Sequence, residues 1–172
     1  MADDESLITD EMRATIGKRG DVTISEVDKL QVRMFARSVG HVDPIYYDED
    51  AAKAAGYRSL PCPPGYLGTP IYDPRYNDPT FGGRRGGGGG PMGGAGPQPR
   101  RQLKRILNGG TEIEYFDDIC AGDVLESVSY TSDIQERKGG IGEMLITTSK
   151  TEYKRQSDGK VVAIMTGTGI RY

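Results

Sequence analysis

The chain has 172 residues, enough for one domain with a real core, yet only 35% of them are apolar, so part of its length stands outside any core. A formal net charge of −3 and the absence of any apolar run of membrane-spanning length argue against a protein built around nucleic acid or a bilayer. Cys62 and Cys120 lie far apart, and the single His41 cannot complete a four-ligand set with them, so neither a metal site nor a disulfide framework is expected. With no basic-then-apolar leader at the N-terminus, the expected location is cytoplasmic.

The first residues, Met1 to Glu11, are acidic, and residues 1–15 are set apart as an N-terminal tail ahead of a single domain over 16–172. Thr23 and Ser25 each stand three positions before an acid, Glu26 and Asp28, which makes two overlapping capping boxes. Val27, Leu30, Met34 and Phe35 follow at helical spacing, which predicts a helix from about Ser25 to Ser38 with Gly40 ending it. Asp43-Pro44 turns the chain. Asp48-Glu49-Asp50 then puts negative charge at the start of an Ala-rich segment, predicting a second helix from Asp48 to Ala55 that Gly56 terminates. The cluster Pro61-Cys62-Pro63-Pro64-Gly65 breaks regular structure.

A Gly-, Pro- and Arg-rich insertion runs from about 72 to 101. Ten glycines fall between Gly82 and Gly96 with Met92 as the one large apolar residue, too little surface to offset the entropy of ordering, so the segment reads as flexible. Arg84, Arg85, Arg100, Arg101, Lys104 and Arg105 form a basic block with no acid among them. It suits contact with phosphates or a partner as well as it suits a solvated linker. No Gly-Lys-Ser/Thr ending follows the glycines, so this is not a nucleotide phosphate loop.

Beyond Leu107 the pattern becomes one of strands: Thr111–Phe116, Val124–Ile134 with Val124, Val128, Tyr130 and Ile134 on one face, Glu143–Tyr153 and Val161–Ile170. Gly139-Gly140 and Ser157-Asp158-Gly159 supply the hairpin turns. Four antiparallel strands in a meander, preceded by helices, give an α+β layer architecture.

The segment Phe35-Ala36-Arg37-Ser38-Val39-Gly40-His41-Val42-Asp43-Pro44-Ile45-Tyr46-Tyr47-Asp48 resembles the signature of the MaoC-like (R)-specific enoyl-CoA hydratases and hydroxyacyl-thioester dehydratases, Gly-Asp-x-Asn-Pro-(Ile/Leu)-His-x-Asp after an aromatic residue. Gly40, Pro44, Ile45 and Asp48 match it. Ala51-Ala52, Gly56-Tyr57, Pro63-Pro64, Leu107-Asn108-Gly109-Gly110-Thr111-Glu112, Ala121-Gly122-Asp123 and Asp158-Gly159-Lys160-Val161-Val162-Ala163 then resemble the N-terminal MaoC-like domain in the family's order. The resemblance implies a hotdog fold, a bent antiparallel sheet wrapped around a central helix and used in pairs. It implies coenzyme A or carrier thioesters as substrates, with no other cofactor. Arg84, Arg85, Arg100, Arg101, Pro64 and Tyr66 are the positions expected to touch such a substrate.

Hydrating an enoyl thioester needs a base to activate water and an acid to protonate the α-carbon, both within reach of one water. The family supplies these as an Asp and a His five positions later. Here His41 stands at the Asp position, Asp43 at the Asn position and Tyr46 at the His position. The resemblance therefore implies a subunit without its own catalytic residues, which shapes the substrate pocket of a second MaoC-like chain that carries the Asp and His. Two alternatives stay open. One is an autonomous hotdog enzyme, a thioesterase or a hydratase with a rearranged site of His41, Asp43 and Tyr46; the other is a regulatory protein that binds acyl thioesters.

Overall fold

The computed structural model describes residues 6–68, 96–140 and 142–172. In chain order these form helix α1 (Asp10–Arg13), strand β1 (Thr23–Glu26), helix α2 (Lys29–Ser38), a 3₁₀ turn (Pro44–Tyr46), helix α3 (Glu49–Ala54) and a second 3₁₀ turn (Tyr66–Gly68). Strands β2 (Ile106–Tyr115), β3 (Val124–Gly139), β4 (Gly142–Arg155) and β5 (Val161–Arg171) complete the chain. All five strands join one sheet in the order β1-β3-β4-β5-β2, with antiparallel pairing throughout. This is the α+β class that the strand and helix patterns predict.

Two details differ from the sequence expectation, for one reason. Thr23 and Ser25 do not cap a helix; they lie in β1, which pairs with Ser127 and Leu125 of β3, and Asp28 caps α2 by accepting from the amides of Leu30 and Gln31. Because β1 takes the free edge of β3, β2 cannot pair there and instead runs along β5. The meander is thus β3-β4-β5, with β2 on its far side.

Cross-strand register sorts the residues of the sheet into two faces. The inner face carries Leu125, Tyr153, Ala163, Met165 and Ile113 at one end, where Val32 of α2, Ala52 of α3, Leu60, Tyr66 and Leu67 pack on it. Leu145 and Ile134 lie at the other end and are covered by Leu7, Ile8, Met12 and Leu103. The segment that the sequence sets apart as a tail thus carries Leu7, 0% exposed. Glu136 fixes it by accepting from the Ser6 hydroxyl and the Leu7 amide, both at 2.9 Å. Ile134 was expected beside Val128 and Tyr130, but the register shifts between Thr131 and Asp133, and this bulge sends Ile134 to the opposite face.

Of the predicted insertion, residues 72–95 lie outside the described residues, and so does any helix that follows the second 3₁₀ turn. Its last residues are tied to the domain. The Arg100 amide donates to the Leu7 carbonyl, Arg101 pairs with Glu143 at 3.0 Å, and Arg171 donates to Gln98.

Behind the first apolar cluster sits a buried ion network. Asp123 accepts from both terminal nitrogens of Arg58 at 2.8 and 3.0 Å and from the Cys120 amide at 2.9 Å. Arg155, 4% exposed, donates to Asp117, Asp158 and the Asp118 carbonyl, with Nε 3.5 Å from Asp123. Burial alone would raise the pKa of Asp123, but Arg58 and the Cys120 amide outweigh it and hold the carboxyl below its ordinary range. Asp117 and Asp158 are lowered too, chiefly by backbone amides, with Arg155 adding to the effect.

Replacing Asp123 with Ala leaves Arg155 buried beside one carboxylate fewer and should cost about 3 kcal/mol in urea unfolding. Groups with depressed folded pKa values stabilise above the unfolded value, about 4 for Asp, and lose that contribution as pH falls through the folded value. The stability advantage of the native chain over Asp123→Asn should therefore be constant from pH 7 to about 4 and shrink below it. An advantage that persists at pH 2.5 would show that the carboxylate charge is not what matters.

Candidate functional site

The loop that carries the hydratase-like segment is built from two helix ends. At the end of α2, Gly40 adopts φ 77°, its amide donates to Arg37, and the His41 amide donates to Ala36. At the end of α3, Gly56 adopts φ 95°, its amide donates to Lys53, and the Tyr57 amide donates to Ala52. Both are Schellman terminations, a geometry that glycine reaches without strain at the left-handed position. They fix the positions of His41 and Tyr57, each the residue that follows the terminating glycine. The 3₁₀ turn between them carries Tyr46, whose ring centroid lies 5.1 Å from that of His41 at a 42° tilt.

The structure brings His41 and Tyr46 together and engages the nearby carboxylates elsewhere. Asp43 caps the 3₁₀ turn by accepting from the Ile45 amide at 3.1 Å, and Asp48 caps α3 by accepting from the Ala51 amide at 2.8 Å. Among the described residues, no carboxylate pairs with the His41 imidazole. The Tyr47 hydroxyl donates to the His41 carbonyl and Arg33 Nε donates to the Tyr47 carbonyl, which pins the loop to α2. Tyr46 titrates above its ordinary value because of burial first, then the neighbouring Tyr57 and Asp43. A phenol shifted upward is a weaker proton donor at neutral pH and its phenolate is scarcer.

The remaining candidates are dispersed. Tyr66 is 4% exposed in the first apolar cluster, its ring edge-on to Phe35 at 5.8 Å and its hydroxyl donating to Gln31 at 2.9 Å, with burial pushing its pKa up to about 12. Pro64 is exposed, next to Gly65, whose amide donates to the Tyr115 hydroxyl at 3.2 Å. Arg100 and Arg101 sit at the opposite end of the sheet, beside Leu7 and Glu143. Arg84 and Arg85 lie outside the described residues. Tyr57 is the member of the His41–Tyr46 group that the sequence does not single out, although Gly56-Tyr57 is among the segments that carry the resemblance. Cys62 and Cys120 are free thiols, and burial raises both their pKa values, which makes them poor nucleophiles.

A family model described as FAS1-like, dehydratase domain region, matches residues 14–165. A UPF0336 protein of Parafrankia sp. is 40% identical over 126 residues, covering 72% of this chain and 70% of the relative. Matches to such curated relatives span about two thirds of their length. Among solved structures, the ChsH1–ChsH2 complex of Mycobacterium tuberculosis aligns with a TM-score of 0.64 at 16% identity, over 90% of this chain and 89% of that one. The C-terminally truncated HadBC complex, a 3R-hydroxyacyl-ACP dehydratase of the same organism, aligns at 0.60 and 20% identity, over 91% and 98%. MaoC-like dehydratases recur among the matches, and the shared fold is the hotdog.

If Asp43 and Asp48 act as caps, Asp43→Ala and Asp48→Ala should each lower unfolding free energy by about 1 kcal/mol in a chemical melt. Substitution by Asn should recover most of the loss. A loss that Asn does not recover would point to a role for the charge at this loop instead.

Proposed function

Because the chain belongs to the FAS1-like, dehydratase domain region family, we propose that it is a non-catalytic, substrate-shaping subunit of a hetero-oligomeric (R)-specific enoyl-thioester hydratase or 3-hydroxyacyl-thioester dehydratase. The observation that carries the reading is the loop chemistry. His41 and Tyr46 stand where the family's acid and base would stand, and Asp43 and Asp48 are occupied as caps, so the loop offers no carboxylate–imidazole pair to activate water. The substrate is an acyl thioester of coenzyme A or a carrier protein, and the partner is a second MaoC-like hotdog chain that keeps the Asp and His.

The edges of the sheet support such a partner. Beside β3, the amides of Gly17 and Gly20 donate to Thr131 and Ser129, so the chain itself fills that side. Along β2, no described strand pairs with the outer edge, and Ile106, Leu107, Tyr115 and Phe116 are 40% to 53% exposed there. An open edge ten residues long that carries apolar side chains is a template for another strand. Two of the structural neighbours are themselves complexes, ChsH1–ChsH2 and HadBC. Joining a second sheet at β2 would build a continuous sheet and leave an acyl tunnel at the junction that both chains line. The cytoplasm, where both thiols stay reduced, is the compartment we assign to it.

The proximity of His41 to Tyr46 keeps one rival in play, a rearranged site in which His41 is the base. Crotonyl-thioester hydration separates the two. The purified chain should show no turnover, and co-expression with a catalytic MaoC-like partner should yield a complex whose acyl-chain preference differs from that of the partner alone. Turnover by the unaltered chain that vanishes in His41→Ala would establish the rival. A chain that neither binds that partner nor changes its preference would remove the proposed role.

A further inference from the structure

Along β2 the register breaks between Asn108, opposite Gly169, and Gly110, opposite Thr168, so Gly109 is an extra residue outside the ladder. The side-chain carbonyl of Asn108 accepts from the Gly110 amide at 2.9 Å, a closed turn that lays the carboxamide along the Gly109 peptide. These residues are exposed, on an edge with which no described strand pairs.

Glycine is compulsory at both positions that follow Asn108. A Cβ on Gly109 would lie 2.8 Å from Cγ2 of Thr168, nearer than a real Cβ approaches, and 3.1 Å from its Cβ and its carbonyl oxygen. Gly110 adopts φ 120°, which a side chain would strain. Asn108 is therefore held beside a residue with no side chain, the neighbour whose backbone nitrogen is least hindered.

We infer that Asn108 is a site of self-modification, converted by the chain to aspartate and isoaspartate with water as the co-reactant. The Gly109 nitrogen gives up its proton to solvent and attacks Cγ of Asn108, whose carbonyl the Gly110 amide already polarises. The Cγ–Nδ2 bond breaks, the carboxamide nitrogen leaves as ammonia, and a cyclic imide spans residues 108 and 109. Water then opens the imide. Opening at Cγ leaves an aspartate; opening at the backbone carbonyl routes the chain through the side chain and frees the former backbone carboxyl, an isoaspartate. Either product adds a negative charge to β2. The isoaspartate also adds a methylene to the backbone, which pushes the bulge out of step with Gly169 and Thr168 and disrupts the edge there. The reaction needs this chain and water alone, so it is independent of the partner that the chain takes.

Two other positions set the contrast. Asn77 precedes Asp78, whose side chain hinders the same attack. Asp158 precedes Gly159, but the Lys160 amide and Arg155 hold it as a carboxylate, a poor electrophile.

The full chain, kept folded at mildly alkaline pH and then digested, reads the conversion by the mass of the peptide that holds Asn108 and by enzymatic carboxyl methylation of isoaspartate. Conversion at Asn108 should run at least about tenfold faster than at Asn77, since Gly109 has no side chain to hinder it, and should rise with pH. Asn108→Ser keeps an acceptor for the Gly110 amide without a carboxamide and should abolish it, with a thermal melt to verify that the variant is folded. The isoaspartate fraction, separated by chromatography, should exchange the amides of β2 faster than the unaltered chain. An Asn108 that stays intact, converts no faster than Asn77, or converts far more slowly in the folded chain than in urea would overturn the inference, because the bulge would then protect it. An isoaspartate fraction with unchanged exchange would overturn the effect on the edge.

Discussion

The Arg155–Asp123 network is the constraint on which the rest of the fold hangs. Arg155 closes β4, Asp123 precedes β3, Asp117 and Asp118 follow β2, and Asp158 sits in the turn into β5. One buried guanidinium therefore gathers the ends of four strands at a single point. Arg58 reaches the same carboxylate from the segment after α3, so the helical layer is fastened to the sheet at the same place. A cationic centre removed from water demands carboxylate and carbonyl partners, and this demand fixes where each turn can lie.

Fastening the helices there also places the loop between α2 and α3 over the same end of the sheet as the main apolar cluster. Two Schellman terminations and a capped 3₁₀ turn make that loop well ordered while consuming its carboxylates in backbone contacts. Its ring groups, His41 and Tyr46, face each other while Asp43 and Asp48 serve the backbone. Under the function proposed above, with His41 and Tyr46 standing at the positions of the reacting pair, such a loop would serve to hold shape at a shared boundary.

Much of this was legible in the residues. Asp48 and Gly56 marked both ends of α3, Gly40 marked the end of α2, and the Gly- and Asp-containing turns located β3, β4 and β5, because each of those positions is a local requirement of the backbone. Thr23 and Ser25 misled because their capping pattern is also compatible with an edge strand, and only the pairing with Ser127 and Leu125 decides between them. Docking of Leu7 and Met12 was hidden for a similar reason: an acidic stretch with isolated apolar residues gives no periodicity, and its anchor, Glu136, lies at the far end of the chain. At the candidate site, the identities of His41, Asp43 and Tyr46 were readable from the segment alone. That the two aspartates are spent as caps, and that Tyr57 joins the group, became visible only with the helix ends in place.

The extra residue in β3 between Thr131 and Asp133 does more than bend a strand. Up to Tyr130 the even-numbered residues look outward; past the bulge the same parity looks inward, and Ile134 and Glu136 become, respectively, a lining for the second apolar cluster and the clasp for the N-terminal segment. The strand is thus read in two phases, like a text whose frame changes partway. Each half can drift in sequence without dragging the other with it, so the end of the molecule that holds the helices and the end that receives the N-terminus can be altered separately, although a single continuous strand runs through both.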